Sequence, residues 1–141
     1  DRGSDERQYS SPGIDLPFCS VMRSKYGEFD EYHTSLDNLD FVSPEGFEGS
    51  YNMHKKIIDL FECNFKYKSI ILAEPQLGNR GLYPNKSTKK SHEKVRDMMN
   101  LISYSDGKKS LLEIANEIKV PIWDLSLLAS KLIQHKILKK V

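Results

Sequence analysis

Apolar residues fall into blocks along this chain, and the spacing within each block predicts an element. Residues 16–23 (LPFCSVMR) are short and mostly apolar, set off by Pro12-Gly13 before them and by Lys25 and Gly27 after, which predicts a buried strand. A polar stretch then runs through Asp40. From 43 to 65 the period changes to three and four, placing Phe47, Tyr51, His54, Ile57, Ile58 and Phe61 on one helical face. Ser43 as N-cap, Pro44 at the first helical position and Glu45 in the first turn mark where that helix starts. Residues 67–74 (YKSIILAE) predict a second buried strand.

Every period breaks in residues 74–91, where Pro75, Gly78, Gly81 and Pro84 punctuate a polar run. Three helix-like stretches follow, 91–105, 110–118 and 122–135, separated by DGKK and KVP, and the chain ends in a strand-like KILKKV. Pro121 suits the start of the third. Helix, helix, turn, helix, strand is the winged-helix order, with its last two helices forming a helix-turn-helix. Leu111, Leu112, Ile114, Ala115, Ile118, Leu125, Leu128, Leu132 and Ile133 recur at three- and four-residue steps and are expected to share one core, to which Trp123 is also assigned.

Charge sharpens the division. Residues 1–84 carry nine Lys/Arg against fourteen Asp/Glu, a net of −5, and residues 85–141 carry twelve against six, a net of +6. Two domains are therefore expected, 1–84 and 85–141. With 38% hydrophobic and 29% charged residues the composition is that of a globular protein. No apolar run reaches the roughly 18 residues of a membrane span, and DRGSDERQYS at the N-terminus is unlike a signal peptide, so the expectation is a soluble, cytoplasmic protein. Cys19 and Cys63, 44 positions apart, form neither a disulfide framework nor a paired zinc motif, and are read as reduced core thiols.

Candidate chemistry centres on residues 31–40, EYHTSLDNLD. His33 there, with Asp37 four residues on, is either part of a solvated polar loop or a metal ligand, whose second ring nitrogen needs an acceptor such as Asp37 or a backbone carbonyl. His54, His92 and His135 lie on helix-like segments or near the C-terminus, and suit core, surface or helix-end positions better than ligand roles.

Taken together, GSDERQY, YHTSLDNLDFVSPEG and EPQLGNRGLYP, followed by a winged helix, resemble bacterial aminopeptidase-like proteins associated with polysaccharide biosynthesis. These belong to the wider superfamily of co-catalytic zinc aminopeptidases, glutamate carboxypeptidases and glutaminyl cyclases. The resemblance covers nearly the whole chain and implies an α/β fold: the C-terminal portion of an aminopeptidase-like unit, then a small winged helix-turn-helix domain. It implies that His33 is the terminal zinc ligand, Asp37 its loop-ordering neighbour, and Asp5 the acid of a Ser-Asp motif near the substrate site. Glu6 follows Asp5 where many members have His. Arg23 is placed to bind a substrate carboxylate, by the match of a guanidinium fork to a carboxylate, or else to pair with Asp30 or Glu31; Tyr26 is placed to contact an oxyanion.

Two-zinc hydrolysis needs a bridging carboxylate, further ligands and a general-base glutamate, of which this chain supplies only His33. The resemblance places the others upstream. The expectation is a C-terminal fragment of an amide or peptide hydrolase, inactive alone, completed by the upstream part of the same protein or by a second subunit. Its substrate would be a small peptide or an acylated amino sugar. The competing expectation is an interaction module, in which the winged helix binds protein or nucleic acid and the peptidase-like half is structural. Lys108, Lys109, Lys131, Lys136, Lys139 and Lys140 are candidate phosphate contacts, yet the recognition-helix position offers no arginine and much apolar surface. Packing is thus preferred over DNA binding, and the lysines are expected to be scattered.

Overall fold

The computed structural model describes residues 3–84 and 89–141, and divides into two compact units, Asp1–His54 and Lys55–Val141. The division falls inside a helix.

The second unit takes its shape from three helices and a small sheet: β1 (Lys66–Ser69), α3 (Lys89–Tyr104), β2 (Asp106–Ser110), α4 (Leu111–Ile118), α5 (Ile122–Gln134) and β3 (Leu138–Lys140). The sheet order is β2-β1-β3, antiparallel throughout, so the strand that precedes the three helices becomes the central one. Leu101, Leu111, Ile114, Leu125, Leu132 and Ile137 are fully buried between helices and sheet. Leu112, Ile118, Leu128 and Ile133 pack against them at the margin, so the core expected from spacing is the core that forms. Tyr67, and Leu77 and Leu82 from within the 74–91 stretch, join the same cluster. Burial of Tyr67 pushes its phenol above the ordinary value, with Cys63 adding to the effect.

Local chemistry fixes the helix ends. Ser110 closes a capping box with Glu113: the Glu113 N–H donates to Ser110 Oγ, and the Ser110 N–H donates to Glu113 Oε2 at 2.6 Å. The Ser110 N–H, followed by the Ser110 hydroxyl, holds the Glu113 carboxyl below its ordinary range. Lys119 ends α4 in the left-handed region at φ 58°, and the Lys119 and Val120 N–H groups both reach Ala115 O in the turn before α5.

Several expectations are corrected in this unit. The strand expected at 67–74 is limited to Lys66–Ser69. DGKK, expected only as a break between helix-like stretches, pairs with β1 as part of β2, with Gly107 at φ 89°. Trp123 is half exposed, because Ile122, Leu125, Ala129 and Leu132 set the buried side of α5 and position 123 turns about 100° away from Ile122. Two lysines from outside that set, Lys66 and Lys68, share a sheet face with Lys139. Lys68 lies directly opposite Lys139, and Lys66, two residues along β1, is exposed on the same face by strand alternation.

In the first unit, α1 (Ser4–Tyr9) leads into loops and then into the start of α2 (Pro44–Cys63). Ser43 caps α2 as expected, its Oγ accepting from the Gly46 N–H at 3.1 Å. The strand expected at 16–23 does not form. A strand exists by virtue of a ladder partner, and here Leu16 N bonds Tyr9 O and Phe18 N bonds Leu16 O, while Leu16, Phe18, Val21 and Met22 stay exposed. Cys19 is an exposed free thiol, not a core one, and Cys63 is half-buried. Among the described residues up to His54 no strand is formed and none is buried, so the α/β peptidase-like layer expected for this part is not seen in it. No described helix is long and apolar enough to cross a membrane.

Candidate functional site

His33 sits at the crest of consecutive turns. The Thr34 hydroxyl donates to Glu31 O at 3.0 Å and accepts from the Leu36 N–H at 3.2 Å; further on, the Asp37 N–H donates to Thr34 O and the Asp40 N–H to Asn38 Oδ1. These local bonds put His33 in the left-handed region at φ 59°, a conformation that histidine tolerates better than most residues and that throws its ring outward. The ring is exposed and stacks on Tyr32 at 4.0 Å and 14°. Tyr32 in turn packs on Tyr26 at 5.7 Å and on Phe29 at 6.0 Å, and Phe29 stacks on Phe41 at 5.8 Å. An aromatic chain, rather than a core, therefore positions the histidine.

Of the residues singled out by sequence, Tyr26 and His33 are brought together through Tyr32. Asp5 is exposed in the first turn of α1, and the Tyr26 hydroxyl lies beside Gly3, two residues from it. Asp37 is exposed, and no hydrogen bond joins its side chain to His33 among the described residues. Glu6, adjacent to Asp5, accepts a hydrogen bond from the Ser20 hydroxyl, which holds its carboxyl below the ordinary value. Arg23 goes elsewhere. It pairs with neither Asp30 nor Glu31, but lies along α2 with Nη2 donating to Gly46 O at 3.4 Å.

The metal expectation meets a limit here. Among the described residues no three His, Cys, Asp or Glu side chains converge as a metal site. Zinc sites take at least three protein ligands, so the described residues do not complete one by themselves. Sequence reasoning missed Ser20, Tyr32, Phe29 and Phe41. The signal for the aromatics was their presence inside an otherwise polar loop.

A three-helix unit closed by a small antiparallel sheet is a winged-helix architecture. Residues 65–140, more than half of the chain, match the winged helix-turn-helix family, and the chain belongs to that family. Residues 1–64 match a domain of unknown function, DUF4910. Along 99% of its length the chain is 41% identical to a protein of Clostridium acetobutylicum named "Putative polysaccharide biosynthesis protein with aminopeptidase-like domain", where it corresponds to the C-terminal part. It also superposes, with a TM-score of 0.86 and 40% identity over 99% of its length, on the crystal structure of a "putative peptidase" from the same organism. The chain spans 32% of the first relative and 30% of the second.

Proposed function

We propose that this chain is the C-terminal portion of a zinc-dependent aminopeptidase-like hydrolase that cleaves an amide or peptide bond, and that it is inactive alone. The observation that carries the reading is 41% identity along 99% of the chain to a protein named for an aminopeptidase-like domain. In this reading His33 gives one ligand to zinc, Asp37 orders its loop, and Asp5, Arg23 and Tyr26 border the substrate. The remaining ligands come from the upstream part of the same protein or from a second subunit. When bound, such a metal polarises the scissile carbonyl and activates water. Two features support completion by another surface: no described residue up to His54 is buried, and Tyr51 at the end of that stretch is 68% exposed. The substrate class is a peptide or an acylated amino sugar.

The test uses the protein at the full length of its relatives. His33→Ala should lower zinc content and abolish hydrolysis of an aminoacyl amide, while the 141-residue chain supplied with zinc shows no turnover. Equal zinc in variant and parent would sink the ligand assignment.

A second reading, a polyanion-binding winged helix, is favoured by Lys66, Lys68 and Lys139 on one sheet face, none in an ion pair among the described residues. It predicts duplex DNA affinity falling with salt at a log–log slope of about −0.9 per phosphate contacted, so about −3 for three lysines. A slope near zero would remove it.

A further inference from the structure

The first two turns of α2 and the loops before it line an open cleft of about 350 Å³, within the range of small-molecule sites. Its apolar wall is Phe29, Phe41, Val42 and Phe47, with Phe29 and Phe41 stacked at 23°. Arg23 also lines it. The guanidinium gives one N–H to Gly46 O and has no carboxylate within ion-pair distance among the described residues, which leaves donors for a ligand. Gly49 makes room for it: a Cβ there would lie 2.5 Å from Arg23 Nη2, so a side chain at that position forces the guanidinium off the helix.

A guanidinium beside an aromatic wall fits a bulky apolar group that carries a carboxylate. The charge of the unit narrows the choice. Residues 1–54 carry four Lys/Arg against eleven Asp/Glu, a net of −7, which repels a net anion out to a Debye length of roughly 8 Å. A zwitterion carries no net charge to repel, yet still presents a carboxylate at contact range.

We propose that this cleft binds a zwitterionic peptide ending in a bulky apolar residue, with its carboxylate on Arg23 and its last side chain against Phe29, Phe41 and Phe47. The choice of a peptide over another zwitterion rests on the hydrolase reading, but binding is measured without turnover.

The probe is glycylphenylalanine, titrated into the 141-residue chain and followed by calorimetry and by NMR shifts of residues 23–50. Its Kd is expected on the order of millimolar. Arg23→Gln should weaken it about tenfold. Gly49→Ala should weaken it several-fold with the arginine still present. Glycylphenylalanine amide, which lacks the carboxylate, should bind the unaltered chain about tenfold more weakly and lose nothing further in Arg23→Gln. The amide comparison needs no variant, so it decides even if a variant fails to fold. Equal binding of acid and amide, tighter binding of N-acetylphenylalanine than of glycylphenylalanine, or no shifts up to about 20 mM would each overturn the assignment. Amide turnover by the longer protein, with no binding of glycylphenylalanine here, overturns the cleft and leaves the hydrolase reading standing.

Discussion

Replacing Arg80 by Met should unfasten the segment 75–84 from the winged unit. Arg80 Nε donates to Pro75 O at 2.8 Å and Nη1 to His135 O at 2.9 Å, so one guanidinium closes its own loop and pins it to the end of α5, 55 residues further along. The pinned loop carries Leu77 and Leu82 into the core, and Pro75 is itself buried. A hydrogen bond to a charged group is worth about 1.5–3 kcal/mol net, and a buried carbonyl left without a partner loses its full desolvation cost. Both partners together would give about 3–6 kcal/mol; half exposure of Arg80 and access of water to His135 O reduce this to about 2–3 kcal/mol. Met retains much of the apolar stem, so packing is largely preserved. For a unit of this size about 2 kcal/mol corresponds to a fall in Tm of roughly 8–16 °C. Urea unfolding followed by the single tryptophan, Trp123 on α5, measures the change. Arg80→Lys keeps the charge but not the fork, and should recover less than half of the loss. An Arg80→Met midpoint within about 0.5 kcal/mol of the parent would refute the reasoning, because distant surface positions already give that much.

Removing the cap by Ser110→Ala should cost about 1 kcal/mol in the same urea assay. Glu113→Gln tests its partner by pH. The folded carboxyl is held low by the Ser110 N–H and hydroxyl, so its contribution is fully present above the unfolded value of about 4.5 and is lost as pH falls through the folded value. Parent and variant should therefore differ at neutral pH and converge in acid; a constant gap down to acid pH would contradict the assignment. Lys139→Thr, which removes the like charge opposite Lys68, should stabilise the sheet by about 0.2–1 kcal/mol at low salt and by less at high salt. Destabilisation at low salt would show that the pair is not repulsive.

Helices were legible because their signals are local. The α2 start was written in Ser43 and Pro44, and the winged-unit core in the three- and four-residue steps from Leu111 to Ile133. Strands were not, because pairing is decided at a distance. LPFCSVMR has strand composition and finds no ladder, while the polar DGKK becomes a strand because β1 runs beside it. Trp123 shows a finer failure: a helix was read correctly, but its buried side was set by Leu125, Ala129 and Leu132 rather than by its largest residue. The lysine cluster likewise follows from register, since only the Lys68–Lys139 pairing brings residues 71 positions apart face to face. At the candidate site His33 and Tyr26 were visible as residue types, but the stack through Tyr32 that connects them was not. The place of Arg23 was not legible, because it depends on Gly49 lacking a side chain where the guanidinium lies.

The two units hold their functional groups by different physics. In the winged unit the sheet lysines stand on strands backed by fully buried Leu111, Ile114, Leu125 and Leu132, so their spacing is set by a closed core. In the first unit nothing described is buried, and His33 is aimed by the Thr34 hydroxyl and the Tyr32 ring. Each of those contacts is worth about 1 kcal/mol, against a similar entropic cost for every residue it orders. A loop balanced that closely gains order from whatever binds it, since a partner that recognises only the ordered form stabilises it by mass action. That coupling agrees with a site completed from outside the chain. It also separates the readouts: unfolding of the winged unit reports Arg80 and Ser110, whereas the proposed metal and peptide binding would report His33 and Arg23.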